Sequence, residues 1–108
     1  MTPKNRLGIF VRVPVAGHVK TRLVPPLSAE TACDLYRAFL GDLFERLGGV
    51  KAVVSVFYSG EPAETMQPLL PRPWPLVAQS GSTLGERMAA AFNHLLAGGA
   101  SRAVVIGS

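Results

Sequence analysis

The chain has 108 residues, 11 Lys and Arg against 7 Asp and Glu, and 48% apolar side chains, which allows one domain and excludes a disordered chain. No run approaches the ~20 apolar residues that cross a bilayer. A single cysteine, Cys33, excludes an internal disulfide framework or a cysteine-based zinc site, and no secretory signal precedes Leu7, so a cytoplasmic setting is expected.

Leu7–Val13 is rich in β-branched and aromatic residues and stops at Pro14, which predicts a strand. A loop follows over Pro14–Leu27, punctuated by Gly17, Pro25 and Pro26. Ser28 is the expected N-cap of a helix whose apolar stripe is Ala32, Leu35, Tyr36, Phe39, Leu40, Leu43, Phe44 and Leu47. Gly48-Gly49 is expected to end that helix through a left-handed glycine. Ala52–Tyr58 reads as a buried strand, and Pro62 as the first position of a short helix reaching Leu70. Pro71, Pro73 and Pro75 make a connector, and Leu76–Gln79 a third strand. Thr83 and Glu86 match a capping box, with Leu84, Met88, Phe92, Leu95 and Leu96 as the apolar face of the helix behind it. Gly98-Gly99 stops that helix before a fourth strand, Ala103–Ile106.

Strands separated by helices predict an α/β fold: a three-layer, Rossmann-like parallel sheet joined by right-handed crossovers. The continuous apolar runs, rather than alternating ones, agree with a sheet buried on both faces. Ligands of such sheets bind beyond the carboxyl ends of the strands. That edge holds the loop Pro14–Leu27, the turn Gln79–Glu86 and Gly107-Ser108.

The charge is concentrated in the first of these regions. Residues 1–27 carry Lys4, Arg6, Arg12, Lys20 and Arg22 and no acid, whereas the rest of the chain is close to neutral. Lys4 and Arg6 read as a solvated basic tail. Lys20 and Arg22, directly after Gly17, suit a phosphate: glycine lets backbone amides approach, Lys20 is a point charge, Arg22 a bidentate fork, and Thr21 a hydroxyl donor. Two familiar phosphate motifs fail, because Val19 stands where a P-loop needs glycine and only Gly17 remains of a dinucleotide fingerprint. A nucleic-acid module would interleave aromatics with the bases, and this segment has only Phe10. Plainer readings compete at each position. Gly17 could simply turn the chain. His18 reads as a loop surface residue, His94 as structural, and Cys33 and Met88 as core. Glu86 caps its helix first and contacts a ligand second; Arg87 faces ligand or solvent. Tyr58 and Ser59, ending the second strand, are a weak base or ribose contact.

Val13-Pro-Val-Ala-Gly-His-Val-Lys-Thr-Arg-Leu23, Leu35-Tyr-Arg-Ala-Phe39, Leu84-Gly-Glu-Arg-Met88 and Val104-Val-Ile-Gly-Ser108 occur in that order. Together they resemble the GT-A-like nucleotide-diphospho-sugar transferases of the radical-SAM/selenodomain-associated glycosyltransferase type, a largely uncharacterised family related to molybdenum-cofactor guanylyltransferases. The resemblance covers nearly all of residues 1–108. It implies the strand order 3-2-1-4 and a nucleotide or nucleotide-sugar partner. It also implies a nucleotide site at Gly17, Lys20 and Arg22, to which Thr21 adds its hydroxyl as read above, with Gly85, Glu86 and Arg87 lining the same edge.

Members of that family continue with Gly-Ser-Asp-Ser-Pro, whose aspartate resembles a ligand for Mg²⁺ or Mn²⁺. Here Ser108 precedes that position. The expectation is therefore the nucleotide-binding half of a transferase, inactive alone, with the metal needed only in the complete protein and no catalytic residue assigned. The alternative is a non-catalytic nucleotide-binding or dimerisation module. An apolar fourth strand at the sheet edge is expected to favour self-association.

Overall fold

β-Branched residues make β1 (Asn5–Arg12), β2 (Val53–Ser59), β3 (Leu76–Ala78) and β4 (Arg102–Ile106) in a computed structural model that describes residues 5–108. Helices α1 (Ala29–Leu47) and α2 (Leu84–Ala97) and two 3-10 segments, Thr21–Leu23 and Ala63–Leu69, complete the element list. The strands form one sheet in the order β3-β2-β1-β4. β4 lies parallel to β1, with Leu7 beside Val104 and Ile9 beside Ile106, and β3 lies parallel to β2, with Phe57 beside Val77. This is the expected Rossmann-like order. Lys4 lies outside the described residues.

The described residues divide into two packed units. One joins the chain up to Val11 with Val50–Ser59 and Trp74–Ser108; the other joins Arg12–Gly49 with Gly60–Pro73.

In the first unit α2 packs on the sheet through Phe57, Ala91 and Leu95, with Phe10, Val77, Ala103 and Val105 around them. The Phe57 ring lies 5.9 Å from Phe10 and meets the His94 ring edge-on at 5.7 Å. Backbone and ring come so close that a Cβ at Gly8 would sit 2.8 Å from the Phe57 ring. Arg6 corrects the reading of a solvated tail. It belongs to β1, donates through Nη2 to the Gly98 carbonyl at 2.9 Å, and so caps the carboxyl end of α2. Its Nε is buried with no hydrogen-bond partner.

In the second unit, the Ser28 side chain accepts the Thr31 N–H and caps α1 as expected. The buried stripe of α1 is narrower than the sequence suggests: Ala32, Cys33, Tyr36, Leu40, Phe44 and Leu47 are inside, while Leu35 and Phe39 are about half exposed. Helical spacing selects a face but not its width, which depends on how much partner surface the fold supplies. Gly48 ends the helix at φ −61°, a right-handed conformation, so the expected left-handed glycine is not used there. Pro62 immediately precedes the second 3-10 segment rather than opening an α-helix, and Pro68 within it lacks the N–H that a longer ladder needs. Met66 of that segment is fully buried.

Candidate functional site

The loop after β1 is anchored at a few apolar points and exposes its polar groups. Val13, Pro14 and Val19 are buried, whereas Gly17, His18, Lys20, Thr21 and Arg22 are exposed. The Arg37 guanidinium donates to the Pro14 carbonyl at 3.2 Å, and the Arg12 N–H donates to the Tyr36 hydroxyl at 3.0 Å, so α1 holds the loop's start. Gly17 has φ +87° with open space around it, a conformation that side chains disfavour.

Lys20 is unusual. At φ 51° and ψ 39° it occupies the left-handed region, the one described non-glycine residue that does. This costs a lysine about 1 kcal/mol relative to the ordinary helical or extended regions. The reward is local: Leu23 and Val24 N–H groups bond the Lys20 and Thr21 carbonyls at 3.0 and 3.1 Å, closing the 3-10 turn Thr21–Leu23. The Lys20 ammonium stands 5.4 Å from the Tyr36 ring centre and 5.8 Å from that of Phe39. These aromatic faces hold the cation without neutralising it. Arg22 follows on the same turn. The segment therefore concentrates Arg12, Lys20 and Arg22 with no carboxylate in its sequence.

The turn into α2 is organised differently. The Thr83 hydroxyl accepts the Glu86 N–H at 3.1 Å, as a capping box requires. The Glu86 carboxylate, however, reaches chiefly to Ser82, accepting its N–H at 2.8 Å and its hydroxyl at 2.9 Å. The Ser82 backbone N–H, then its hydroxyl, hold the Glu86 carboxyl below its ordinary pKa. Gly81 makes this turn possible: at φ +123° any Cβ would meet Glu86 Cβ at 2.7 Å. Gly85 is exposed in the first turn of α2.

Arg87 braces the same turn, donating through Nε to the Gly81 carbonyl at 3.0 Å and through Nη1 to the Gln79 side-chain oxygen at 3.3 Å. Gln79 in turn donates through Nε2 to the carbonyls of Phe57, at 3.0 Å, and Val11, at 3.2 Å. Thus one amide links the ends of β1, β2 and the start of the α2 turn. The sequence places Gln79 at the end of a strand and the start of the turn Gln79–Glu86, but assigns its side chain no partner. Its bonds span 22 and 68 residues, and no local pattern could have signalled them.

His18 is exposed in the first loop, and His94 packs edge-on against Phe57. Among the described residues no group of three or more His, Cys, Asp or Glu side chains is placed to hold a metal ion. No helix among the described residues is long and apolar enough to cross a membrane.

Comparison with protein families matches residues 35–108 to the family described as "Uncharacterized protein conserved in bacteria (DUF2064)". The chain belongs to this family. Among solved structures, a protein of Desulfovibrio desulfuricans G20, described as a "putative nucleotide-diphospho-sugar transferase", superposes with a TM-score of 0.91 at 32% sequence identity. The match covers 99% of this chain and 48% of that one, so the chain spans about half the length of that protein. No curated protein matches. This DUF2064 chain therefore has a transferase-like, Rossmann-like fold, with the sheet order that the resemblance implied.

Proposed function

We propose that this chain binds a nucleotide or nucleotide-diphospho-sugar as part of a transferase, with the diphosphate held by the loop after β1. One observation carries this reading: Lys20 keeps a strained left-handed backbone in an exposed, acid-free loop, between an open positive-φ glycine and Arg22. Strain of this kind persists where the surroundings enforce it, and it concentrates at ligand sites. The Lys20 ammonium supplies a point charge, the Arg22 guanidinium two parallel donors, and the Thr21 hydroxyl a further donor. The space beside Gly17 is open, with nothing within 4 Å of where a Cβ would sit.

Gly85, Glu86 and Arg87 are the second segment of the reading. Gly85 leaves the first turn of α2 uncovered, while Glu86 and Arg87 act as positioning residues that fix the turn through Ser82, Gly81 and Gln79. In the complete protein a divalent cation would neutralise charge developing on the transferred group; this chain's own residues bind and orient. The likeness to a protein described as a nucleotide-diphospho-sugar transferase supports the substrate class.

Calorimetry with a panel of nucleoside diphosphates and their sugar conjugates tests the reading. Measurable binding that weakens in both Lys20→Ala and Arg22→Ala is expected. Equal affinity in wild type and both variants would remove these residues from the site.

A further inference from the structure

We propose that a hollow between α2 and β3 is a second site, for a small oxyanion, either a phosphate or a carboxylate group. It goes beyond the nucleotide reading, since no residue of the loop after β1 takes part. The hollow holds about 100 Å³ and lies at the end of the sheet away from β4. Its shape follows from the sequence of α2. Arg87 and His94 stand about two helical turns apart and so share one face of that helix. Between them come Ala90 and Ala91, whose methyl groups are too small to fill the space beside Phe57 and Val77. The floor is therefore apolar, and the polar side chains around it are Arg87, His94 and Ser80.

Charge selects the occupant. Arg87 is half-buried, yet its hydrogen bonds go to neutral acceptors, the Gly81 carbonyl and the Gln79 side-chain oxygen. The neighbouring carboxylate, Glu86, turns to Ser82 instead. Among the described residues no acid lines the hollow. A guanidinium partly withdrawn from water without a counter-charge attracts an anion, and Nη2 of Arg87 is bonded to no described residue. His94 is held edge-on against the Phe57 ring, and neither of its ring nitrogens has a hydrogen-bond partner among the described residues. The imidazole and the Ser80 hydroxyl thus add neutral donors beside the cation. A few convergent polar groups over an apolar floor is the usual composition of a small-ligand site. The volume is well below the ~300–1,000 Å³ of pockets that enclose drug-sized ligands, so the occupant is a single small group.

The test is a titration of the chain with inorganic phosphate and, separately, with acetate, followed in proton–carbon spectra of the His94 and Arg87 side chains. It is run in the Lys20→Gln, Arg22→Gln double variant, so that anions held by the loop after β1 do not contribute. Saturable shifts at both side chains are expected, with none from chloride at equal ionic strength. Saturation by phosphate alone assigns a phosphate ligand, and by acetate alone a carboxylate. His94→Ala should weaken binding about fivefold, as for one lost hydrogen bond. Ala90→Leu fills the hollow without changing its charge and should abolish binding. Shifts that fail to saturate with both anions, or an unchanged affinity in either variant, would overturn the proposal; His94→Ala decides even if Ala90→Leu fails to fold.

Discussion

The Lys20 ammonium stands 5.4 Å from the centre of the Tyr36 ring, and the hydroxyl of that same tyrosine accepts the Arg12 N–H. Tyr36 thus ties the exit of β1 to the cation that follows it. Its ring lies within α1, so the loop's charge is carried by a rigid element although the loop has no regular structure over most of its length.

Two opposing effects meet at Lys20, and a glycine there should separate them. Lys20→Gly relieves the left-handed backbone, worth about 1 kcal/mol. It also loses an exposed cation–aromatic contact, worth about 0.5–1 kcal/mol. Urea denaturation should therefore give a stability within about 1 kcal/mol of wild type. Binding of nucleoside diphosphates should nevertheless weaken, because the cation has gone.

Gln79 has the larger structural consequence. Gln79→Ala leaves the Phe57 and Val11 carbonyls and one Arg87 donor without their partner. An unsatisfied, part-buried polar group costs about 1–3 kcal/mol. A thermal melt should place Gln79→Ala well below wild type, and Gln79→Glu should also melt lower, because it keeps the Arg87 acceptor but sets a carboxylate oxygen against the two carbonyls that Nε2 now serves.

The cap of α2 is sensitive to acid. The folded-state pKa of Glu86 is lowered by Ser82, so the carboxylate's contribution is complete above the ordinary glutamate pKa and is lost as pH falls through the depressed one. Carbon-13 titration of the Glu86 carboxyl should show a pKa below that of an exposed glutamate. Ser82→Ala keeps the backbone donor but removes the hydroxyl, and should move it part of the way back. Thr83→Ala, which removes the helix cap itself, should cost about 1 kcal/mol at neutral pH.

Gly81 should tolerate no side chain. Its φ of +123° and the 2.7 Å approach to Glu86 Cβ both oppose a methyl group. Gly81→Ala should destabilise by about 1–3 kcal/mol, and proton–nitrogen spectra should place the shift changes around Ser82, Glu86 and Arg87.

Elements fixed by neighbours in sequence were legible before the structure. Ser28 and Thr83 cap their helices as read, and the apolar runs of β1, β2 and β4 carry the sheet. What sequence could not reveal depends on distant partners. Arg6 meets Gly98 across 92 residues, and Gln79 reaches Val11 across 68. The exposure of Leu35 and Phe39 was hidden for a related reason, since the period of a stripe says nothing about the surface available to cover it. The grouping of Gly17, Lys20 and Arg22 was visible; the left-handed turn that presents Lys20 was not, because lysine has no preference for that conformation.

The diphosphate-binding loop is tested most directly by the affinity of a nucleoside diphosphate for wild type and for the Lys20→Gln, Arg22→Gln double variant, measured by calorimetry at low and high salt. Loss of two charge-assisted contacts should weaken binding at least tenfold, and the salt dependence seen in wild type should largely disappear. A double variant that binds as tightly as wild type, with the same response to salt, would contradict it.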